Sequence, residues 1–94
     1  HPRHYSPATR LVLARNGELP GAGRGVYLYR TRPSPAAHSL RMPRDPAAYG
    51  AALYRTLHEL DRQGWDWIAV EPLPDEPAWS AIADRLRRAA APAG

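Results

Sequence analysis

Apolar positions follow two rhythms along this 94-residue chain. Short runs occur in "TRLVLAR" (Thr9 to Arg15, holding Leu11, Val12 and Leu13), in "GVYLYR" and in "WDWIAVEP" (Ile68, Ala69 and Val70). Their length and their β-branched and aromatic content predict strands. "HSLRMP", after the proline-broken "TRPSPAA", reads as a further short strand. Two longer stretches repeat at helical spacing instead. In "DPAAYGAALYRTLHELDRQG", Tyr49, Leu53, Thr56, Leu57 and Leu60 share one face, with Arg55, His58, Glu59 and Arg62 largely off it. Asp45 stands where an N-cap belongs and Pro46 at the first helical position, where a missing N–H is harmless. Gly64 is placed to close the helix in a left-handed conformation. Gly50 inside it costs roughly 1 kcal/mol relative to alanine, tolerable if a neighbouring element packs close there. The second stripe is Trp79, Ile82, Ala83, Leu86 and Ala90, with Asp75 or Glu76 as cap, Pro77 in the first turn and Pro92 as the stop.

"WDWIAVEP" reads as a strand buried on both faces, since Ile68, Ala69 and Val70 run without a polar break. Strand, helix, buried strand, helix is a βαβα order, which builds parallel sheets. The link between the first two strands, "NGELPGAGRG", is glycine-rich and too short for a crossover helix, so its length favours a hairpin there. The expected fold is a small α/β layered domain of three to four mostly parallel strands with at least two helices.

Composition narrows the setting. One domain of this size supports one modest core. There are no cysteines, so disulfides and thiolate metal sites are excluded and a reducing, cytoplasmic setting fits. No apolar run is long enough to span a membrane and no secretory leader pattern stands at the start, so no membrane partner is expected. The net charge of +4 comes from 13 basic residues, all of them arginine, and only Arg87 and Arg88 stand adjacent. Such a spread describes a solvated surface, with nucleic acid as the competing partner.

The chemical motifs are sparse. Gly21, Gly23 and Gly25 precede a strand, whereas a phosphate-cradling fingerprint follows a strand and opens a helix. His1 and His4 form an H-x-x-H pair without a third ligand nearby, so no metal site is expected. Ser6, Ser34, Ser39 and Ser80 lack a nucleophile-elbow context. Among the carboxylates Glu59, Asp61, Asp66, Glu71, Asp75, Glu76 and Asp84, Glu71 is singled out because it ends the buried strand. Ligands bind open α/β sheets outside that carboxyl edge, although a carboxylate closing a strand also serves to cap a loop or pair with an arginine. Trp67 and Trp79 belong to the core by pattern, and Trp65 to the sheet's edge. No catalytic residue emerges.

Two segments carry a resemblance to a known family. "RHYSP" resembles the linker signature of two-domain L-threonylcarbamoyl-AMP synthases, which joins a YrdC-type catalytic domain to a smaller C-terminal one. "LYRTLHELDRQGWDWIAVEPLPDEPAWSAIADRLRRAA" is similar to the C-terminal domain itself, a member group also labelled translation factors. The resemblance implies residues 1–8 as an interdomain linker remnant and 9–94 as an accessory, Rossmann-like domain. It implies a parent nucleotidyltransferase that joins threonine, bicarbonate and ATP (with magnesium), releases pyrophosphate and supplies a tRNA adenosine modification. The fragment alone is then no enzyme and holds no cofactor. Arg3, His4, Tyr5, Ser6 and Pro7 match the signature, whose implied role is a lid over bound nucleotide and threonine. Residues 1–6 should then be extended and exposed, with little for His4 and Tyr5 to contact in this domain. The implied partner is the N-terminal catalytic domain, with tRNA or tRNA-modification proteins as further candidates. The family commonly has a helix between the first two strands, where this chain has only "NGELPGAG". Two other readings stand beside this one: a basic tRNA-binding module, and a small-ligand sensor using the sheet edge near Glu71.

Overall fold

The computed structural model describes residues 8–35 and 37–90. Arg3, His4, Tyr5, Ser6 and Pro7, and with them the expectation of an extended start, lie outside the described residues, as does His1.

Four strands form one sheet: β1 (Arg10–Leu13), β2 (Gly25–Tyr29), β3 (His38–Arg41) and β4 (Trp67–Val70). Their order is β1-β4-β2-β3 and every pairing is parallel. β4 therefore lies centrally, with Trp67 opposite both Arg10 and Gly25. All four of its residues are buried, as an unbroken apolar run demands. The fold is the expected small α/β layered domain.

Pleating sends alternate residues to opposite faces. Leu11, Val26, Leu28, Ile68 and Val70 point to one face, where they meet Tyr49, Leu53, Leu57 and Leu60 of α1 (Pro46–Asp61) and Leu86 of α2 (Ser80–Ala90). Tyr27, Trp67 and Ala69 point to the other face and pack with Ala14, Leu19 and Ala37. Helices thus cover one face and loops cover the other. No described helix is long and apolar enough to cross a membrane.

The hairpin expected between β1 and β2 does not form. The two strands are parallel and β4 separates them. Asn16 and Gly17 do take positive φ, 55° and 74°, yet the turn at Arg15–Gly17 only redirects the chain. The segment from Ala14 to Arg24 then returns across the sheet without a helix. Strands of four and five residues are short, so eleven residues of coil, reaching at most about 36–40 Å, can make the return. A helix is the usual crossover, not a geometric requirement.

Helix α1 starts as its sequence dictates. The Asp45 side chain accepts from the Ala48 N–H at 2.9 Å, and Pro46 opens the helix. After its last turn Gly64 adopts φ 79°. At the second helix the expectation holds only in part. Glu76 occupies the cap position without a side-chain cap bond, and Pro77–Trp79 form one 3-10 turn before α2 begins. Of its stripe, Trp79 and Leu86 are buried, while Ile82, Ala83 and Ala90 are half-buried.

Candidate functional site

Glu71 stands where the sequence places it, immediately after β4 at the carboxyl edge of the sheet. The neighbouring strand β2 ends at the same level, so the chain turning away from it passes close to Glu71. Glu71 Oε1 accepts the Arg30 N–H at 2.6 Å and the Thr31 N–H at 2.9 Å. Its Oε2 accepts the Thr31 hydroxyl. Both oxygens are engaged with the chain's own turn. Partial burial pushes this carboxyl's pKa up, but the Thr31 and Arg30 hydrogen bonds and the Arg30 charge outweigh it and leave the pKa below the ordinary value.

An aromatic and cationic stack flanks that turn. The Arg30 guanidinium lies 5.0 Å from the Trp79 ring centroid, and Trp79 meets Tyr49 edge-on at 5.3 Å. Burial first, and the Glu71 charge second, raise the pKa of both Tyr27 and Tyr49, so both phenols stay protonated. A cleft of about 540 Å³ opens beside Glu71, lined by Asn16, Tyr27, Thr31, Arg32 and Ser34 among others.

The opposite edge of the sheet carries a second constellation. Trp65 is half-buried there, with exposed His38 stacked on it at 5.5 Å and 17° between planes. The Arg24 guanidinium lies 4.9 Å from the same ring. Arg24, His38 and Trp65 come from three different segments, and they meet because each precedes or opens a neighbouring strand. Trp65 is thus an edge residue, while Trp67 and Trp79 are only 5% and 3% exposed, as their pattern requires.

Sequence reasoning passed over the contacts of Asp61. This last residue of α1 binds the chain just ahead of β1. Its Oδ1 accepts the Thr9 N–H and the Thr9 hydroxyl, each at 2.7 Å, and its Oδ2 accepts the Ala8 N–H at 3.1 Å. A signal was present. The C-terminus of a helix carries partial negative charge, so an acidic residue there is unfavourable unless something compensates it.

Glu71 and Asp61 therefore belong to different edges. Glu71 serves the carboxyl ends of the strands, and Asp61 serves the start of β1, so the structure does not assemble them into one site. His1 and His4 lie outside the described residues.

The model of one family, threonylcarbamoyl-AMP synthase, C-terminal domain, matches residues 1–91. No curated protein and no solved structure matches the chain.

Proposed function

The chain belongs to the family of threonylcarbamoyl-AMP synthase C-terminal domains, and from that membership we propose that it is the accessory domain of such a synthase, holding a linker that closes over the catalytic pocket. The observation that carries this reading is the reach of the match. It spans residues 1–91, which takes in the "RHYSP" signature and all but the last three residues of the chain. Membership ties the chain to tRNA threonylcarbamoyladenosine modification.

In this reading the chemistry belongs to the catalytic domain, which would join threonine, bicarbonate and ATP. Arg3, His4, Tyr5, Ser6 and Pro7 would close over bound nucleotide and threonine and exclude water from a hydrolysable intermediate. The body supplies a stiff base for that segment. Its engaged carboxylates support this assignment, since Asp61, Asp66 and Glu71 all hold backbone amides of the chain itself.

The isolated domain, given ATP, threonine and bicarbonate, should form no threonylcarbamoyl-adenylate, as followed by pyrophosphate release. Steady turnover by the isolated domain would overturn the accessory role. In a full synthase chain, replacing His4 and Tyr5 by alanine should slow product formation. Unchanged kinetics would remove the lid.

A second reading, a tRNA-binding surface, has the Arg24–Trp65–His38 stack in its favour. Aromatic rings beside guanidinium groups accept unpaired bases at about 1–3 kcal/mol each. Filter binding of tRNA should then weaken steeply from 50 to 200 mM salt and weaken further in Trp65→Ala. Affinity insensitive to both would dismiss it.

A further inference from the structure

The Asp61 carboxylate ties the body of the domain to the residues directly following the linker signature. Pro7 ends the "RHYSP" match, and Ala8 and Thr9 come next. Strand β1 begins only at Arg10, where pairing with β4 takes over. Ala8 and Thr9 would otherwise form a swivel between the sheet and the signature. Asp61 removes that freedom with two N–H donors and one O–H donor on a single carboxylate. Hydrogen bonds to an ionised acceptor are about twice as strong as neutral ones.

We propose that Asp61 is a positioning residue for the synthase reaction, setting the point and direction from which the linker leaves the domain. The inference rests on the lid reading above and assigns that reading its anchor. Its physical basis is reach. A five-residue signature spans at most about 18 Å, and slipping its anchor by one residue moves it by about 3.3–3.6 Å. Groups that shape a catalytic pocket lose much of their effect when displaced by about 1 Å. A loose anchor therefore spreads the signature over many unproductive placements. Asp61 also sits at the negative end of α1, where its charge opposes the helix dipole. The three donors from Ala8 and Thr9 help to compensate that placement.

The test uses a full synthase chain with this domain and compares wild type, Asp61→Ala, Asp61→Asn, Thr9→Val and the His4/Tyr5 double alanine variant. Thermal melts are recorded alongside initial rates against threonine and ATP. Asp61→Ala should raise the KM for threonine about tenfold, the scale of one lost hydrogen bond to a charged group, with a smaller change in kcat. Asp61→Asn keeps one acceptor and should fall between Asp61→Ala and wild type. Thr9→Val removes only the hydroxyl and should shift KM in the same direction with the fold intact. If the His4/Tyr5 variant is impaired while both Asp61 variants and Thr9→Val match wild type in KM, the anchor is refuted and the lid stands. If Asp61→Ala lowers the melting temperature and kcat but leaves KM unchanged, the residue is structural only and the proposal fails. If the His4/Tyr5 variant is also unimpaired, lid and anchor fall together.

Discussion

At the level of single residues, carboxylates organise the strand ends. Asp66 Oδ2 accepts the Arg24 N–H at 2.7 Å, just before β2, while the Asp66 N–H donates to the Arg24 carbonyl at 2.7 Å. Glu71 does the corresponding thing after β2, through Arg30 and Thr31. β4 is thus bracketed by two acids that hold its neighbour at both ends. Because the Glu71 pKa is lowered from its ordinary 4.5 in the folded chain, its contribution is complete above that value and vanishes as pH falls through the folded-state pKa. Glu71→Gln should therefore be less stable than wild type by about 1 kcal/mol at pH 7, a modest figure because the group is partly solvated. The gap between the urea midpoints of the two proteins should narrow as pH falls through the folded-state pKa, and a constant gap would contradict the assignment. Gly25 presents a steric case. A Cβ there would lie 2.0 Å from the Trp67 ring, and that indole N–H already donates to the Ala22 carbonyl at 3.1 Å. Gly25→Ala should destabilise by about 3 kcal/mol, at the upper end for overpacking. A urea midpoint near wild type would show that Trp67 can move aside.

Single elements show what local sequence can and cannot specify. Periodicity, the Asp45 cap and Gly64 were sufficient to place α1, and an unbroken apolar run was sufficient to bury β4. Those signals are local and the physics behind them is local. The direction of β2 relative to β1 was not legible, because it depends on β4, which arrives some forty residues later in the chain. The same holds for the site. Glu71's position at the sheet edge followed from strand order, but its partners Arg30 and Thr31 lie across the sheet. Asp61's partners lie 52 and 53 positions away, so only its misfit with the helix dipole was visible. Gly50 meets the condition under which its cost inside the helix is tolerable. A neighbour does pack near it, Ile82, but an added Cβ would meet Ile82 Cδ1 at 3.5 Å, an ordinary contact. The glycine is therefore not sterically required. Gly50→Ala should raise stability by about 0.5–1 kcal/mol through helix propensity, and a lower thermal midpoint would indicate that α2 is displaced.

For the molecule as a whole, the central place of β4 has a consequence for folding. β1 and β2 have no direct hydrogen-bonded pairing; each pairs with β4, and only β2–β3 joins strands that are consecutive in sequence. The helix-side core likewise draws Ile68, Val70, Trp79 and Leu86 from the last third of the chain. A chain lacking that third can form α1 locally, but it loses the strand with which β1 and β2 both pair and Ile68, Val70, Trp79 and Leu86 of the helix-side core. Such topology also makes the loop-closure entropy come before most of the stabilising contacts, which slows folding. A fragment comprising residues 1–64 should therefore show residual helical circular dichroism near 222 nm but no cooperative melt. The complete chain should unfold in one transition, with refolding in milliseconds to seconds by stopped-flow tryptophan fluorescence. A cooperative transition in the fragment would mean that β2, β3 and α1 form an independent unit. In that case Asp61 would keep its helix but lose the β1 pairing that brings Thr9 to it, and the anchor would depend on the last third of the chain for placement alone. A single transition in the whole chain, and none in the fragment, would tie the anchor proposed at Asp61 to the integrity of the entire domain.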